Sequence, residues 1–249
     1  MIIIKSSNEI EKIREAGKIV SEALSLAGEI IKPGMTTLEL NNAIEKVIVS
    51  HKAKPSFKNY NGFPAASCIS PNSVVVHGIP SKDVILKDGD IVSVDVGAFY
   101  GGYHADAART YPVGNISLEA KQLIDVTKEC FNRGAQAALP DNRIGDIGFA
   151  VQSLAEEYGY GVVRELVGHG VGKNLHEEPD VPNFGNSGRG LRLKSGMVIA
   201  IEPMINAGTH FVDFNREDGW TVTTYDGSLS AHYENTVAIT DNGPLLLTV

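Results

Sequence analysis

Two aspartates in an otherwise apolar hairpin constrain this chain more than any other feature. The segment Ile91–Asp106 reads as a run of strand formers that carries Asp95, a glycine pair at Gly101 and Gly102, and a second run that carries Asp106. A β-hairpin can bring these two positions, 11 residues apart, into adjacency. A lone hairpin aspartate is usually solvated, but burying two carboxylates together is costly unless a cation or a proton compensates. The pattern therefore predicts a positive partner at this hairpin.

The overall composition limits the classes of protein open to this chain. Its 249 residues are 43% hydrophobic, enough for a large core, and we expect a single domain over 1–249. The net charge of −8 argues against a specific nucleic-acid binder. Two cysteines cannot form a disulfide framework, and no apolar run suits a signal peptide or a membrane span. We therefore expect a cytoplasmic protein and, since no exposed apolar stripe is evident, a monomer.

Capping signals and apolar periodicity predict four helices separated by short strands. Capping boxes at Ser6–Glu9 and Thr36–Glu39 begin the first two helices, and Ser117 caps the third. The predicted helices are about 7–31, 37–53, 117–139 and 144–158. Strands are predicted around 68–69, 74–76, 91–106, 161–167, 197–201, 220–224 and 232–240.

The order of these elements repeats once along the chain. Leu86–Asp95 aligns with Leu193–Glu202 at an offset of 107 residues, and the preceding helices align at the same offset. The two copies are about 7–110 and about 117–240, and the second has the longer hairpin. We predict an α+β fold of two pseudo-symmetric helix–helix–strand–hairpin halves around a central antiparallel sheet. A site between the halves would bring Asp95 and Glu202 together.

Three further residues join the two aspartates as candidates for one site. Glu202 lies in an apolar strand, Glu234 lies in the alternating strand after His232, and His169 sits between glycines, where backbone can approach a ligand closely. Each alone is more often structural: a solvated glutamate or a turn histidine. Together, four carboxylates and one imidazole favour a pair of divalent first-row ions over a structural zinc site, which would favour cysteine. The four negative charges would balance two divalent cations.

Several motifs taken together resemble type I methionine aminopeptidases. They are Val76–Pro80, Asp95 and Asp106 at their spacing, Gly168–Gly170, His176–Pro179, Ile201–Met204 and Tyr233–Glu234. The resemblance extends from the first helix to Pro244, and the set is specific although no single motif is. It implies the pita-bread fold of that peptidase family, whose two pseudo-symmetric halves match the repeat.

The resemblance also implies a site, residue by residue. The metal ligands would be Asp95, Asp106, His169, Glu202 and Glu234, with Asp106 and Glu234 bridging two divalent ions of Co, Mn, Fe or Zn. His77 and His176 would contact the substrate and stabilise charge on the scissile amide. Tyr60, Phe63, Cys68 and Trp220 would form the methionine pocket.

The implied activity is removal of the N-terminal methionine from nascent proteins, with preference for a small second residue. A water that bridges the metals would attack the first peptide bond, and Glu202 would take its proton and pass it to the leaving amine. The implied partner is the nascent N-terminus, with no membrane or specific nucleic acid. Lys52, Lys54 and Lys58 suggest a transient ribosome contact, but a solvated surface is favoured roughly three to one.

The chain departs from the family's pattern at three positions near this predicted site. Leu175 stands where relatives often have Phe, and Phe57 stands where some have Cys. Gly97 replaces a frequent Thr or Ser near Asp95, which removes a hydroxyl that could support a metal ligand.

Other readings of the same motifs remain open at this stage. An Xaa-Pro aminopeptidase or prolidase shares the fold and the ligands, but usually has a large N-terminal domain, for which a first helix at Ser7 leaves no room. Type II methionine aminopeptidases carry a late insertion, which the 26 residues from His176 to Glu202 and the 32 from there to Glu234 do not hold. A non-catalytic pita-bread binding protein should have lost ligands. A metal-stabilised scaffold leaves His77 and His176 without a role.

Overall fold

A computed structural model describes residues 2–249 of the chain. It has four α-helices within that range: α1 (Ser7–Ile30), α2 (Thr37–Ser50), α3 (Leu118–Ala137) and α4 (Ile144–Glu157). Strands β1 to β5 are Lys54–Pro55, Ser67–Pro71, Val74–Val76, Ile91–Tyr100 and Tyr103–Pro112. Strands β6 to β10 are Gly161–Val162, Gly168–Gly170, Glu177–Val181, Val198–Ile201 and Met204–Asn206. Strands β11 to β15 are Val212–Phe214, Val222–Thr224, Ser230–His232, Asn235–Thr240 and Gly243–Leu246.

The helix starts follow the capping signals in the sequence. Ser6 Oγ accepts a hydrogen bond from the Glu9 N–H while the Glu9 carboxylate accepts from the Ser6 N–H, and Thr36 and Glu39 repeat this arrangement. Each box satisfies main-chain donors that a helix terminus leaves unpaired. The Ser117 hydroxyl caps α3 in the same sense. The four predicted helices are therefore confirmed.

The first hairpin sets the two aspartates side by side. In the antiparallel pair β4–β5, Asp95 lies opposite Ala108 and Asp106 lies opposite Gly97. Because side chains alternate along a strand, positions 95 and 97 share a face, and so do 106 and 108. Both carboxylates therefore lie on one face as diagonal neighbours, which places them within reach of a common partner.

A second antiparallel ribbon carries the two glutamates at a break in both of its strands. The β9–β10 chain is interrupted at Glu202 and Pro203, and the β13–β14 chain at Tyr233 and Glu234, because proline cannot donate to the ladder. The prediction that Glu234 lies within a continuous strand 232–240 is thus wrong. The register is the same on both sides of the break, and the Tyr233 N–H still donates to the Pro203 carbonyl at 3.2 Å, so both glutamates keep their places in the alternation of the ribbon.

The remaining strand predictions hold in part. The segment predicted as strand 161–167 forms only the short β6, and the chain re-enters a sheet at β7. The strands form several antiparallel sheets, in the orders β1-β4-β2 with β5 beside β4, β13-β10-β6, β11-β12-β3 and β15-β14-β9-β7-β8. The predicted α+β class is confirmed.

The two ribbons are joined by side-chain hydrogen bonds across a buried seam. The Asp106 N–H donates to Thr236 Oγ1 at 3.1 Å, and that hydroxyl donates to the Asp106 carbonyl at 2.8 Å. Thr110 Oγ1 likewise donates to the His232 carbonyl at 2.9 Å. Helix α1 covers the other side of β4 and β5 with residues such as Ile13 and Val20. No helix in the described part of the chain is long and apolar enough to cross a membrane.

Candidate metal centre and active site

All eleven side chains predicted for the site line one cavity of about 250 Å³. This volume lies below the ~300–1,000 Å³ of pockets for drug-sized ligands, and it suits a small group such as one amino-acid side chain. The eleven are Tyr60, Phe63, Cys68, His77, Asp95, Asp106, His169, His176, Glu202, Trp220 and Glu234.

His169 presents one ring nitrogen to the carboxylates and anchors the other. Its Nδ1 lies 2.9 Å from the Gly170 carbonyl, to which only an Nδ1–H can donate. The Nε2 lone pair then faces Asp106 Oδ2 and Glu202 Oε1, each 3.6 Å away. Burial lowers the pKa of His169 to about 4, which keeps the ring neutral. A neutral imidazole with a fixed tautomer is the form that binds a metal ion.

The glycines beside His169 allow close packing of strands and do not line the ligand cavity. A Cβ at Gly168 would lie 2.3 Å from the Ala200 carbonyl oxygen, and one at Gly170 would lie 2.3 Å from that of Glu178. His169 is therefore a strand residue held between two neighbouring strands. The turn interpretation of this segment is wrong, and the glycines position the imidazole through backbone contact.

Within residues 2–249, the four carboxylates gather without a lysine or arginine side chain paired to them. Among residues 2–249, the only bases within 4.0 Å of them are the imidazoles of His169 and His232. Asp95 Oδ1 and Glu234 Oε1 are buried without a hydrogen-bond partner in the described chain. Burial, reinforced by the neighbouring negative charges, raises the pKa of Asp95, Glu202 and Glu234 well above the ordinary range.

The donor set fits divalent cations. One ligand atom each from Asp106, His169 and Glu234 lies within 4.8 Å of the others, and all three residues are buried. Burial raises the pKa of Asp106 to about 6 although Thr236 donates to it. Oxygen donors with one imidazole suit first-row divalent ions. A cation would satisfy the unpaired carboxylate oxygens and remove the cost of crowding like charges.

The buried guanidinium of Arg109 does not serve as that cation. It donates to the Glu234 carbonyl and to Asn235 Oδ1, and it lies 4.2 Å from the centre of the Tyr233 ring. These are contacts to main chain, amide and aromatic groups. Arg109 thus holds the broken strand that carries Glu234, and leaves the carboxylate itself free for another partner.

An apolar lobe of the cavity lies beside the carboxylates. Phe57, Phe63, Cys68 and Leu175 form a buried cluster with Trp220 packed against it. The Phe63 and Trp220 rings meet edge to face, with centroids 5.1 Å apart. Such a lobe can hold a linear apolar side chain next to the metal-binding groups.

Two histidines stand at the border between the polar and apolar parts. His176 Nδ1 lies 2.7 Å from the Tyr60 hydroxyl, and its ring centroid lies 4.1 Å from that of His169. His77 has a left-handed backbone conformation with φ of 59°, which is uncommon for a residue with a Cβ and is typical of functional sites. Burial lowers the pKa of His77 to about 4, so its imidazole is neutral.

Polar groups that the sequence interpretation missed surround Glu202 and Asp106. His232 and Asn183 are buried next to Glu202, and Thr236 bonds Asp106. The sequence does carry a signal for His232 and Thr236. Each lies two residues from Glu234, and side chains two residues apart in a strand share a face. Asn183 has no such signal, because it precedes Glu202 by nineteen residues.

Comparison with known proteins places the chain in a family. The model of metallopeptidase family M24 matches residues 11–241. The chain belongs to metallopeptidase family M24. It is 55% identical to a methionine aminopeptidase of Clostridium acetobutylicum, with 100% of this chain and 99% of the relative covered. The crystal structure of the methionine aminopeptidase from Rickettsia prowazekii superposes with a TM-score of 0.98 at 44% identity, covering 100% of both chains.

The chain also matches part of a longer structure at lower identity. The prolidase of Pyrococcus horikoshii has a TM-score of 0.81 at 29% identity, and 64% of it is covered by this chain. The predicted resemblance to type I methionine aminopeptidases, the pita-bread fold and the metallopeptidase class are confirmed. Membership of M24 implies the use of divalent metal.

The M24 cavity accommodates its departures as a linked set. A Cβ at Gly97 would lie 2.8 Å from Phe57 Cε1 and 2.8 Å from Ser56 Cβ. The larger Phe57 therefore occupies space that a side chain at position 97 would need. Leu175 lies in the same buried cluster as Phe57. Volume-conserving exchanges of this kind are tolerated best in packed regions.

We expect Gly97→Thr to lower the free energy of unfolding by about 1–3 kcal/mol, because it overpacks this region. It should also raise KM for a methionyl peptide by pushing Phe57 into the cavity. Phe57→Cys is the matched partner, and the double variant Gly97→Thr/Phe57→Cys should recover part of both losses, because it removes the contact with Phe57 and leaves the one with Ser56. Urea unfolding and steady-state kinetics measure the effects. Strictly additive losses would contradict the linkage.

Metal binding to this M24 chain is expected to be more stabilising at higher pH. A carboxyl with a raised folded-state pKa contributes stability at low pH that is lost as pH rises through the folded pKa. In chelated protein this loss begins near the ordinary carboxyl pKa, where the unfolded chain ionises, and it is complete only above the folded-state pKa, which for Asp106 is about 6. Bound cations favour the ionised carboxylates, so the metal-loaded form escapes the loss.

The measurement is the difference in melting temperature between metal-loaded and chelated protein, taken between about pH 5 and about pH 7.5. Buried histidines such as His77 have lowered pKa values and oppose the trend, but they titrate in both forms and cancel in the difference. The difference should widen with pH. A constant or shrinking difference would contradict the predicted carboxylate shifts.

Proposed function

We propose that this chain is a methionine aminopeptidase that removes the first methionine from nascent proteins and uses two divalent ions held by Asp95, Asp106, His169, Glu202 and Glu234. The observation that carries the proposal is a set of largely buried carboxylates with no lysine or arginine partner among residues 2–249, next to an apolar lobe of one cavity. High identity to proteins named methionine aminopeptidase along the whole chain supports it.

Glu202 is the residue proposed to move the proton. Bound divalent ions would supply Lewis acidity, which polarises a carbonyl and makes water nucleophilic near neutral pH. Glu202 Oε1 lies on the cavity side, 3.6 Å from His169 Nε2. From there the carboxylate can accept a proton from water and deliver it to the leaving amine. Asp106 and Glu234, both buried at the centre of the donor set, remain the predicted bridging ligands.

The two border histidines are proposed to donate to the scissile amide. A Tyr60 hydroxyl that donates to His176 Nδ1 leaves the proton on Nε2, where it can stabilise negative charge as it develops on the substrate. His77, neutral and strained, faces the same cavity. Tyr60 thus has two roles in this proposal: it lines the pocket and orients His176.

Substrate choice is proposed to come from the apolar lobe. Phe63, Cys68 and Trp220, with Phe57 and Leu175, enclose a volume suited to an unbranched thioether side chain. The carboxylate side would receive the free α-amine, which an internal peptide bond lacks. A preference for a small second residue follows from the family resemblance alone and stays a prediction.

The test is hydrolysis of Met-Ala-Ser against an Ala-Pro peptide, with anaerobic metal analysis of the same preparation. We expect release of methionine, little cleavage of Ala-Pro, and about two divalent ions per chain. N-acetyl-Met-Ala-Ser is the matched control, and it should resist cleavage because its amine is blocked. Faster cleavage of the Ala-Pro peptide would favour the Xaa-Pro activity. No cleavage of either by metal-loaded enzyme would favour a binding protein.

The basic patch of Lys52, Lys54 and Lys58, predicted to contact the ribosome, is only partly available. Lys52 and Lys54 are exposed, but Lys58 donates to Glu45 Oε1 at 2.6 Å, so part of the basic patch is neutralised. The ribosome contact, the monomeric state and the cytoplasmic location stay predictions.

A further inference from the structure

Glu202 is flanked by two imidazoles, one on each carboxylate oxygen. His169 Nε2 lies 3.6 Å from Oε1, and His232 Nε2 lies 3.7 Å from Oε2. The roles of the two rings differ. His169 lines the cavity, whereas His232 does not and lies behind the carboxylate. The position of His232 follows from the strand register, which sets it opposite Met204, two residues after Glu202.

His232 is a buried polar side chain without a partner. It is 1% exposed, and neither Nδ1 nor Nε2 makes a hydrogen bond within residues 2–249. Buried polar groups in proteins are almost always paired, so an orphan imidazole beside a carboxylate needs an explanation. The 3.7 Å gap to Glu202 exceeds the usual N–H···O distance of ~2.9 Å by about 0.8 Å, which a small torsion of the glutamate side chain can close.

The main chain around both residues is already held in place. Asn183, fully buried, donates Nδ2–H to the Glu202 carbonyl at 3.0 Å. The His232 N–H donates to Thr110 Oγ1 at 2.9 Å, and the same hydroxyl donates to the His232 carbonyl. With both backbones anchored, the geometry of this contact depends on the side-chain torsions of Glu202 and His232.

We propose that His232 is a positioning residue for Glu202: its imidazole donates Nε2–H to Oε2 and thereby turns Oε1 toward the metal-binding cavity. An ionised carboxylate can only accept, so the contact requires the proton on Nε2. Hydrogen bonds of this kind orient metal-binding and proton-moving carboxylates, and their loss typically costs 10–100-fold in metal affinity or activity. This inference rests on the role of Glu202 in the proposed function.

The test compares His232→Gln, which retains an N–H donor, with His232→Leu, which retains bulk and loses the donor. We expect His232→Leu to lose about 10–100-fold in divalent-metal affinity by calorimetric titration with Mn²⁺, and a similar factor in kcat. His232→Gln should stay within about threefold of the natural protein for both, because the donor is what matters. If His232→Leu has the same Mn²⁺ affinity and kcat as the natural protein, the proposal is overturned. Equal impairment of both variants, with unchanged melting temperatures, would overturn it as well.

A second measurement needs no variant that might misfold. Long-range ¹H–¹⁵N spectra of histidine-labelled, metal-loaded protein report the tautomer of each ring, with His232 assigned by its absence in His232→Gln. The Nε2–H tautomer is expected, and an Nδ1–H tautomer would overturn the proposal. Metal affinity and tautomer are independent of peptide cleavage. If the proposed function is wrong, the metal-loaded natural protein will fail to cleave Met-Ala-Ser. That result does not depend on the tautomer of His232.

Discussion

Replacement of Glu202 by glutamine is expected to lower kcat by about 10²–10⁴-fold, the usual contribution of a positioned general base. Glutamine has nearly the same size, so the packing around Pro203 and the ribbon should persist. Its amide cannot accept a proton from water at neutral pH. The metal-loaded variant should therefore bind a methionyl peptide yet turn it over very slowly, as measured by single-turnover and steady-state hydrolysis of Met-Ala-Ser.

The variant also separates chemistry from folding. Burial and the neighbouring aspartates raise the pKa of Glu202, so neutral glutamine should stabilise chelated protein relative to the natural residue at neutral pH. Glu157→Gln is the matched control, because Glu157 is exposed at the end of α4 and should leave both stability and rate unchanged. A kcat for Glu202→Gln near that of the control would refute the assignment of Glu202 as the base.

Replacement of Lys5 by methionine is expected to lower the free energy of unfolding by about 3–5 kcal/mol, the usual cost of removing one partner of a buried ion pair. Lys5 Nζ lies 2.8 Å from Glu177 Oε2, and the two side chains are only 3% and 4% exposed. Glu177 Oε1 accepts from the Asn174 N–H at 3.1 Å. The variant leaves this carboxylate buried without its cation, and since Glu177 follows His176, KM for a methionyl peptide should rise too.

Two further variants make this prediction specific. Lys18→Met breaks an exposed pair with Glu15 and should cost at most about 1 kcal/mol. The double variant Lys5→Met/Glu177→Gln removes both charges and should recover much of the stability lost in Lys5→Met. Urea unfolding of the natural protein, the double variant and the single variants Lys5→Met, Glu177→Gln and Lys18→Met measures the coupling. A loss in Lys5→Met no larger than in Lys18→Met would show that the buried pair contributes nothing specific.

Many residues of the candidate site could be predicted from the sequence because the residues next to them mark their positions. Asp95 interrupts an apolar strand, and the glycine pair after it predicts the hairpin that returns Asp106 to the same face. His169 is marked by its flanking glycines, although their physical role is to let strands pack closely. Each signal arises within a few residues, where chain geometry links sequence directly to conformation.

The break in the second ribbon shows where local signals fail. The run from His232 to Thr240 alternates like one strand, yet the chain leaves the ladder at Tyr233 and Glu234. Pro203 on the facing strand is the cause, because its missing N–H interrupts both partners. Nothing within 232–240 reports on Pro203 in the facing strand, so periodicity cannot detect where the ladder hydrogen bonds are interrupted.

The sequence by itself predicted the donor set and determined the helix starts, the first hairpin and the family, because capping, alternation and motif spacing are properties of short segments. Only the tertiary structure decided which side chains support those donors. The contact of His232 with Glu202, the space that Gly97 leaves for Phe57, and the burial of Lys5 against Glu177 join residues far apart in the chain. Such contacts depend on register and close packing across elements, where a shift of one residue or one methyl group changes the partner.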